Sequence, residues 1–330
     1  FSLMLILVTG CAGFIGYHLT HRLLALNHQV VGVDSLNSYY STVQKERNLV
    51  DLEAQGKAKG VPWHFRFIKG DIGSPQILSL LPQVDLVFHL AAYAGVRYSL
   101  EHPRIYFDTN VIASTNLMEW MRVKGVKTLF FASSSSVYGL NTKVPFSETD
   151  QIELQNSPYA ISKLALERMT QLYSRLHGLN CYGFRFFTVY GPRGRPDMAP
   201  YKFLTRIMQE QTIQLYGDGN SRRDYTYVGD IVDGLVQAMN AQLATPQTGQ
   251  FELFNIGSGR PLKLTDFVAV IEQVTGKKAQ IEWLPDQPGD VPHTYADTSK
   301  LQTMCGFQPA TSLEQGIKAT YEWLLNKIET

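Results

Sequence analysis

Tyr159 and Lys163 stand four residues apart within Pro158–His177, a stretch whose apolar spacing reads as a helix. At that spacing a phenol and an ammonium share one helix face, one turn apart. A neighbouring cation favours the tyrosinate, and a tyrosinate can take a hydroxyl proton while a hydride leaves the same carbon. Upstream, Ser133, Ser134, Ser135 and Ser136 follow an apolar, strand-like segment. A hydroxyl placed there can share the reacting oxygen. A tyrosine and a lysine four apart are common by chance, so the pair gains weight only from its company.

That company begins at Val8-Thr9-Gly10-Cys11-Ala12-Gly13-Phe14-Ile15-Gly16. Small residues let the backbone approach a pyrophosphate, and the helix opening at Phe14 offers unpaired N–H groups and a partial positive charge. A strand before the turn, a helix after it and an acidic residue ending the second strand together make a dinucleotide site. The acidic residue is Asp34, eighteen positions past Gly16. Its carboxylate suits the ribose hydroxyls of NAD and repels the 2′-phosphate of NADP. Asp71, after Phe67-Ile68-Lys69-Gly70, is placed for the adenine edge. Tyr39 and Tyr40 are expected to shape a loop near cofactor or substrate.

The elements that position these residues read as alternating strands and helices. Strands are predicted over 4–9, 30–34, 64–69, 86–90, 128–133 and 181–187, and helices over 14–26, 74–80, 105–123 and 158–177. Continuous apolar strands between helices indicate a parallel sheet covered on both faces. With right-handed crossovers this is a doubly wound α/β fold of the Rossmann type. Residues 1–191 are expected to form the dinucleotide-binding domain, with some later segments returning to it. Residues 192–330, mixed and rich in turns at 216–221, 256–261 and 284–292, are expected to form a smaller C-terminal α/β lobe for substrate.

Bulk properties close off several classes. A chain of 330 residues can bury a sizeable core without a staple. The formal net charge of +1, with 18% charged residues, argues against nucleic-acid partners. Cys11, Cys181 and Cys305 are an odd, scattered set that fits a reducing cytoplasm better than a disulfide framework. The eight histidines show no metal-binding spacing, so no metal is expected. His89 reads as a packed histidine ending a buried strand. No run reaches the roughly 18 to 20 apolar residues of a membrane span. Met4 reads as the natural start, with Phe1–Leu3 preceding it as a remnant.

The glycine turn, Ser134 and the Tyr159/Lys163 pair together resemble the extended short-chain dehydrogenase/reductases over essentially the whole chain. His89-Leu90-Ala91-Ala92, Ala94-Gly95-Val96-Arg97-Tyr98-Ser99 and Phe186-Phe187-Thr188-Val189-Tyr190-Gly191-Pro192 look like nucleotide-sugar epimerases. Gly194-Arg195-Pro196-Asp197-Met198 and Gln287-Pro288-Gly289-Asp290-Val291-Pro292 look most like the branch acting at C4 of UDP-glucuronate. The resemblance implies Ser134, 25 positions before Tyr159, as the third catalytic group. It adds Ile72 and Ala91 to the cofactor contacts Gly10, Gly13, Phe14, Ile15, Gly16, Asp34 and Asp71. For the sugar nucleotide it implies Arg97, Ser99, Ser135, Ser136, Thr188, Arg195 and Asp290, with Arg223 on the diphosphate. Thr188 stands where UDP-galactose epimerases carry an asparagine, and Gln287 replaces an arginine common elsewhere. The family also implies a homodimer formed by the helices predicted over 105–123 and 158–177.

Several reactions of this family share oxidation at the sugar C4. Dehydratases then need an Asp-Glu pair, which would occupy positions 135 and 136, and decarboxylases usually carry a glutamate at 136. Serine at both positions leaves epimerisation through a transient 4-keto sugar as the expected reaction. UDP-glucuronate is the expected substrate. UDP-galactose or a UDP-N-acetylhexosamine, a decarboxylase, and a non-catalytic NAD-binding scaffold stand as alternatives.

Overall fold

The computed structural model describes residues 3–57, 64–152, 154–245, 247–285 and 293–328. The first strand, β1 (Leu5–Thr9), is buried from Ile6 onward. It is flanked by β2 (Gln29–Asp34) and β4 (Leu86–His89), parallel to both, with Thr9 opposite Val33 on one side and His89 on the other. Beyond them lie β3 (Phe65–Lys69), β5 (Thr128–Ser134), β6 (Asn180–Phe186) and β10 (Phe251–Ile256), in the order β10-β6-β5-β4-β1-β2-β3. The register brings the carboxyl ends of β2, β1, β4 and β5 to one edge, where open α/β sheets bind ligands.

Between the strands run α1 (Phe14–Ala25), α2 (Thr42–Lys57), α3 (Pro75–Ser79), α4 (Val96–Glu101), α5 (Pro103–Phe107), a π-helical turn (Asp108–Ala113), α6 (Ser114–Lys124) and α7 (Pro158–His177). Val31, Val87, Leu117, Met121, Leu129 and Leu166 belong to one buried cluster. Each such side chain contributes about 1.5–3 kcal/mol of apolar burial, against the entropy of ordering it.

The structure departs from the sequence reading at two elements. Helix α2 was not anticipated. Its inner face mixes Gln44, Lys45 and Asn48 with Leu49 and Leu52, so the apolar part spans only its middle and the polar residues ahead of it hide the period. The single helix expected over 105–123 is instead α5, the π turn and α6, with α4 ahead of them. Pro103 supplies no backbone donor and opens α5 at its first position.

The chain divides into two compact units. The first comprises Phe1–Gly139, Ile152–Arg185 and Ala238–Phe254, and the second Leu140–Gln151, Phe186–Gln237 and Asn255–Thr330. In the second, β9 (Arg222–Tyr227) pairs with β7 (Thr188–Tyr190), β11 (Pro261–Lys263) and β13 (His293–Thr294). A separate ladder joins β8 (Ile213–Tyr216) to β12 (Ile281–Leu284). Its own core gathers Leu204, Ile207, Ile213, Leu215, Phe267 and Ile271.

Candidate active site

The turn between β1 and α1 is tight enough to require its glycines. Gly10 has φ +73, and a Cβ there would lie 2.8 Å from the nitrogen of Ala91. A Cβ on Gly16 would lie 2.0 Å from the carbonyl oxygen of Gly10. Gly13 occupies the N-cap of α1 with no side-chain cap, and the first turn carries no acidic residue. The leading N–H groups, from Phe14 and Ile15 onward, lack intrahelical acceptors. The combination of bare donors, positive helix end and close backbone fits a dinucleotide diphosphate.

Asp34 ends β2 in a buried position, its Oδ2 accepting from Ala12 N at 3.1 Å and its Oδ1 from Leu36 N at 2.9 Å. Burial pushes its pKa up, and those two N–H groups pull it back. Each oxygen retains acceptor capacity for a ribose hydroxyl. Asp71 follows β3, and its Oδ1 accepts from Gly73 N at 2.8 Å, shaping the turn that leads into α3. Ile72 is buried beside it. Ala91 N donates to Thr9 Oγ1 at 3.2 Å, fastening the loop after β4 to the end of β1.

Helix α7 opens with Ser157, whose hydroxyl accepts from Ala160 N, followed by Pro158, a strong start signal. This places Tyr159 in the first turn and Lys163 one turn on, both buried. Lys163 Nζ donates to the carbonyl of Ala132 at 2.7 Å, tying the helix to β5 two residues before Ser134. Ser134 Oγ accepts from Ser136 N at 3.1 Å, capping the 3-10 turn Ser135–Tyr138, and keeps its own proton to donate. The ring of Tyr159 meets that of Tyr106 edge-on at 5.8 Å. Ser135 and Ser136 are half-buried. Burial lowers Lys163 to about 7, while the charge of Glu167 works the other way.

Glu167 was not anticipated. It lies one turn beyond Lys163 and accepts from Ser133 Oγ at 2.5 Å, from Arg185 Nε at 2.9 Å and from Arg185 Nη2 at 2.8 Å. Both members of the ion pair are only 2% exposed, so this is a desolvated pair whose geometry must be good to be tolerated. The Arg185 guanidinium also stands 4.8 Å over the ring of Tyr138. An arginine inside the otherwise apolar strand 181–187 was the available signal.

His89 is buried, with Nδ1 2.7 Å from Thr9 Oγ1 and Nε2 2.8 Å from Ser114 Oγ. Ser114 Oγ donates to the carbonyl of Asn110, and Ala91 N donates to Thr9 Oγ1. The network therefore assigns the proton to Nε2. Burial, then the charge of Lys163, lowers its pKa to about 3, so the ring stays neutral. Of the expected sugar contacts on α4, Arg97 is exposed. Ser99 is fully buried, and its hydroxyl donates to the carbonyl of Val96 at 2.6 Å. Its visible work is inside the helix.

Thr188, Arg195 and Arg223 belong to the second unit. Thr188 opens β7, half-buried and opposite Tyr225 of β9. Arg195 faces Asp197 through two bonds, Nε to Oδ1 at 3.0 Å and Nη2 to Oδ2 at 2.5 Å, and lines a cleft with Tyr190, Met198 and Tyr201. Arg223 lies in β9, and its Nη1 donates to the carbonyl of Arg222 at 3.0 Å. Beside it, buried Asp224 accepts from Thr226 Oγ1, from the N–H and hydroxyl of Ser258, and from the N–H groups of Gly259 and Ala296. That hub, also unanticipated, fixes the strand that carries Arg223. Asp290 and Gln287 lie outside the described residues. Among the described residues there is no cluster able to hold a metal ion, and no helix is long and apolar enough to cross a membrane.

A doubly wound sheet, a glycine turn at its carboxyl edge and a Ser-Tyr-Lys set define the class of dinucleotide-dependent enzymes built on the short-chain dehydrogenase/reductase plan. The sequence profile of the NAD dependent epimerase/dehydratase family matches residues 6–257, and the chain belongs to that family. A UDP-glucuronate 4-epimerase of Thermodesulfobacterium geofontis is 38% identical over 327 residues, covering 98% of this chain and 97% of the relative. Among solved structures, the UDP-glucuronic acid 4-epimerase of Bacillus cereus in complex with UDP-glucuronic acid and NAD superposes with a TM-score of 0.88. It is 32% identical, over 98% of this chain and 100% of that one. A UDP-glucose 4-epimerase of Thermotoga maritima, solved with UDP-glucose, gives a TM-score of 0.86 at 32% identity, covering 98% and 100%.

Proposed function

We propose that the chain is an NAD-dependent UDP-sugar 4-epimerase that interconverts UDP-glucuronate and UDP-galacturonate. The observation that carries the reaction type is the hydroxyl run at the end of β5, where Ser135 and Ser136 bring no carboxylate to drive elimination. Full-length similarity to UDP-glucuronate 4-epimerases supports the choice of sugar.

Bound NAD supplies the acceptor, and later the donor, of the hydride at C4. The chain handles the proton and the pose. Tyr159 takes the C4 hydroxyl proton and returns it. Ser134 donates to the same oxygen. Lys163, charged, favours the tyrosinate. Gly10, Gly13, Phe14, Ile15 and Gly16 hold the pyrophosphate, Asp34 a ribose, and Asp71, Ile72 and Ala91 line the remaining cofactor. Arg223 grips the UDP diphosphate through its forked donors. The 4-keto sugar turns over between the two hydride transfers.

A uronate adds a hazard, because a C4 ketone makes the C6 carboxylate a β-keto acid prone to losing CO₂. Ser135, Ser136, Thr188 and Arg195, with Arg97 and Asp290 in support, are the side chains assigned to sugar and carboxylate. Since Asp197 already occupies the Arg195 fork, a substrate carboxylate must share or displace that partner. Arg195→Ala is expected to raise KM for UDP-glucuronate about tenfold and to leave KM for UDP-glucose nearly unchanged. Equal losses for the two substrates would remove Arg195 from this role.

Substrate choice is tested by comparing kcat/KM for UDP-glucuronate, UDP-glucose and UDP-N-acetylglucosamine. A preference for the uronate supports the proposal. A preference for UDP-glucose would assign the chain with the UDP-glucose enzymes it also resembles.

The first unit carries the cofactor contacts together with Ser134, Ser135, Ser136, Tyr159 and Arg97, and the second supplies Thr188, Arg195 and Arg223 to the sugar nucleotide. A homodimer through the helical stretch 105–123 and α7 is part of the same reading, supported by the exposed Ile112 of the π turn and Ile161, Leu172 and Leu176 of α7, and light scattering on purified protein tests it. Cytoplasmic residence is consistent with the buried thiols of Cys11 and Cys181, whose pKa values burial raises.

A further inference from the structure

We propose that Tyr39 and Tyr40 form a strap across the glycine cradle that retains the dinucleotide through the catalytic cycle. The proposal rests on the NAD-binding reading above and assigns it residues beyond the glycine turn and Asp34.

Strand β1 lies between β2 and β4, and its carboxyl end carries the cradle. The segment after β2 does not simply descend into α2. It runs sideways until the hydroxyl of Tyr39 donates to the carbonyl of Ala94, in the loop after β4. The chain thereby connects the two strands that flank β1, passing over the strand whose turn would receive the pyrophosphate. Its next residue points back at that turn, since a Cβ on Gly13 would stand 3.6 Å from the hydroxyl of Tyr40.

Both ends of the strap are anchored. At the near end Leu36 adopts φ +51, a left-handed conformation rare for a branched residue, which redirects the chain. Asn37 Oδ1 accepts from Tyr39 N at 3.2 Å and from Lys45 Nζ at 2.8 Å. Lys45 also donates to the carbonyl of Asn37 at 2.7 Å and stands 4.4 Å over the ring of Tyr40. That buried ammonium accounts for a lysine on the inner face of α2, ahead of the buried Leu49 and Leu52. At the far end the ring of Tyr39 packs edge-on against Tyr98 at 5.0 Å and Tyr93 at 5.3 Å. Tyr106 donates to the same Ala94 carbonyl and to Gly95 O, and its ring meets Tyr159. The strap therefore ends on the aromatic group that abuts the proposed catalytic phenol.

An epimerase has a specific use for such a device. The reduced cofactor must stay beside the keto sugar until the hydride returns, because escape of either leaves the reaction half done. A pyrophosphate in the cradle would find the Tyr40 hydroxyl as an added donor, with the Tyr39 latch holding that donor in place.

The test uses the full chain purified with its cofactor. NAD dissociation is timed by exchange against excess isotope-labelled NAD, in wild type, Tyr39→Phe, Tyr40→Phe and the double Tyr39→Ala/Tyr40→Ala. Each hydroxyl deletion is expected to speed dissociation about fivefold, and the double alanine variant more than about tenfold, on the scale of one or two lost hydrogen bonds. The melting temperature of the NAD-stripped Tyr39→Phe protein is expected to match that of stripped wild type. Unchanged dissociation in all variants, or a fall in the stripped melting temperature that tracks the faster dissociation, would overturn the strap. A wild-type chain that binds no NAD would instead overturn the functional reading itself.

Discussion

Replacing Tyr159 with phenylalanine is expected to lower kcat for epimerisation by about three orders of magnitude. The substitution removes one oxygen and keeps the ring, so the edge contact with Tyr106 and the packing of α7 survive. The lost group is the proposed proton acceptor at C4. None of its neighbours can replace it. Ser134 has no basic form near neutrality, His89 is held neutral between Thr9 and Ser114 with its pKa near 3, and Lys163 is tied to the carbonyl of Ala132. Because the loss falls on the transition state, KM for the UDP-sugar and the affinity for NAD should change little. Steady-state kinetics with NAD titration checks both halves. Retention of more than about a tenth of wild-type kcat would assign the proton transfer elsewhere.

Glu167→Gln carries the second large effect, on stability and on pH dependence together. The amide still accepts from Ser133 but leaves the Arg185 guanidinium charged, buried and without its counter-ion. Removing one member of such a pair costs roughly 3–5 kcal/mol. Adding Arg185→Met removes the orphaned charge, and most of the lost stability should return. The electrostatic consequence should not return. Burial already lowers Lys163 to about 7, and Glu167 is what holds it up. Without that carboxylate the neutral amine gains, and Lys163 loses its proton at lower pH. Since the ammonium is the working form, the alkaline limb of the kcat profile should move down by about one pH unit in both variants. Denaturant unfolding gives the first quantity and the pH profile the second. A double variant with wild-type stability and an unmoved limb would reduce Glu167 to a packing role.

Much of the first unit was legible because its residues solve local problems. Val8 to Gly16 reads as a strand, a tight turn and an uncapped helix start, and the structure shows why: Cβ atoms at Gly10 and Gly16 would collide with backbone. Helix α7 was bounded at both ends by its own chemistry, Ser157-Pro158 in front and Gly178 in the left-handed region behind. The misses share a different cause. Gln44, Lys45 and Asn48 are polar yet buried, because Lys45 donates to Asn37, Asn48 to the carbonyl of Ala12, and Gln44 to Asn48 one turn on, which no apolar periodicity reveals. Glu167, Arg185 and Asp224 are likewise charged residues satisfied by distant segments, so their burial follows from topology. Ser99 shows the opposite limit. Its place in a family-like segment suggested a sugar contact, while its hydroxyl donates within its own helix.

The fate of hydrogen at C4 tests the central claim most directly. UDP-glucuronate carrying deuterium at C4 is incubated with the purified chain and no added NAD, and the product is analysed by mass spectrometry and NMR. Transfer of the hydride to bound NAD and back to the opposite face predicts UDP-galacturonate with the deuterium still at C4 and no pentose formed. Label lost to solvent, or a UDP-pentose as the main product, would contradict it.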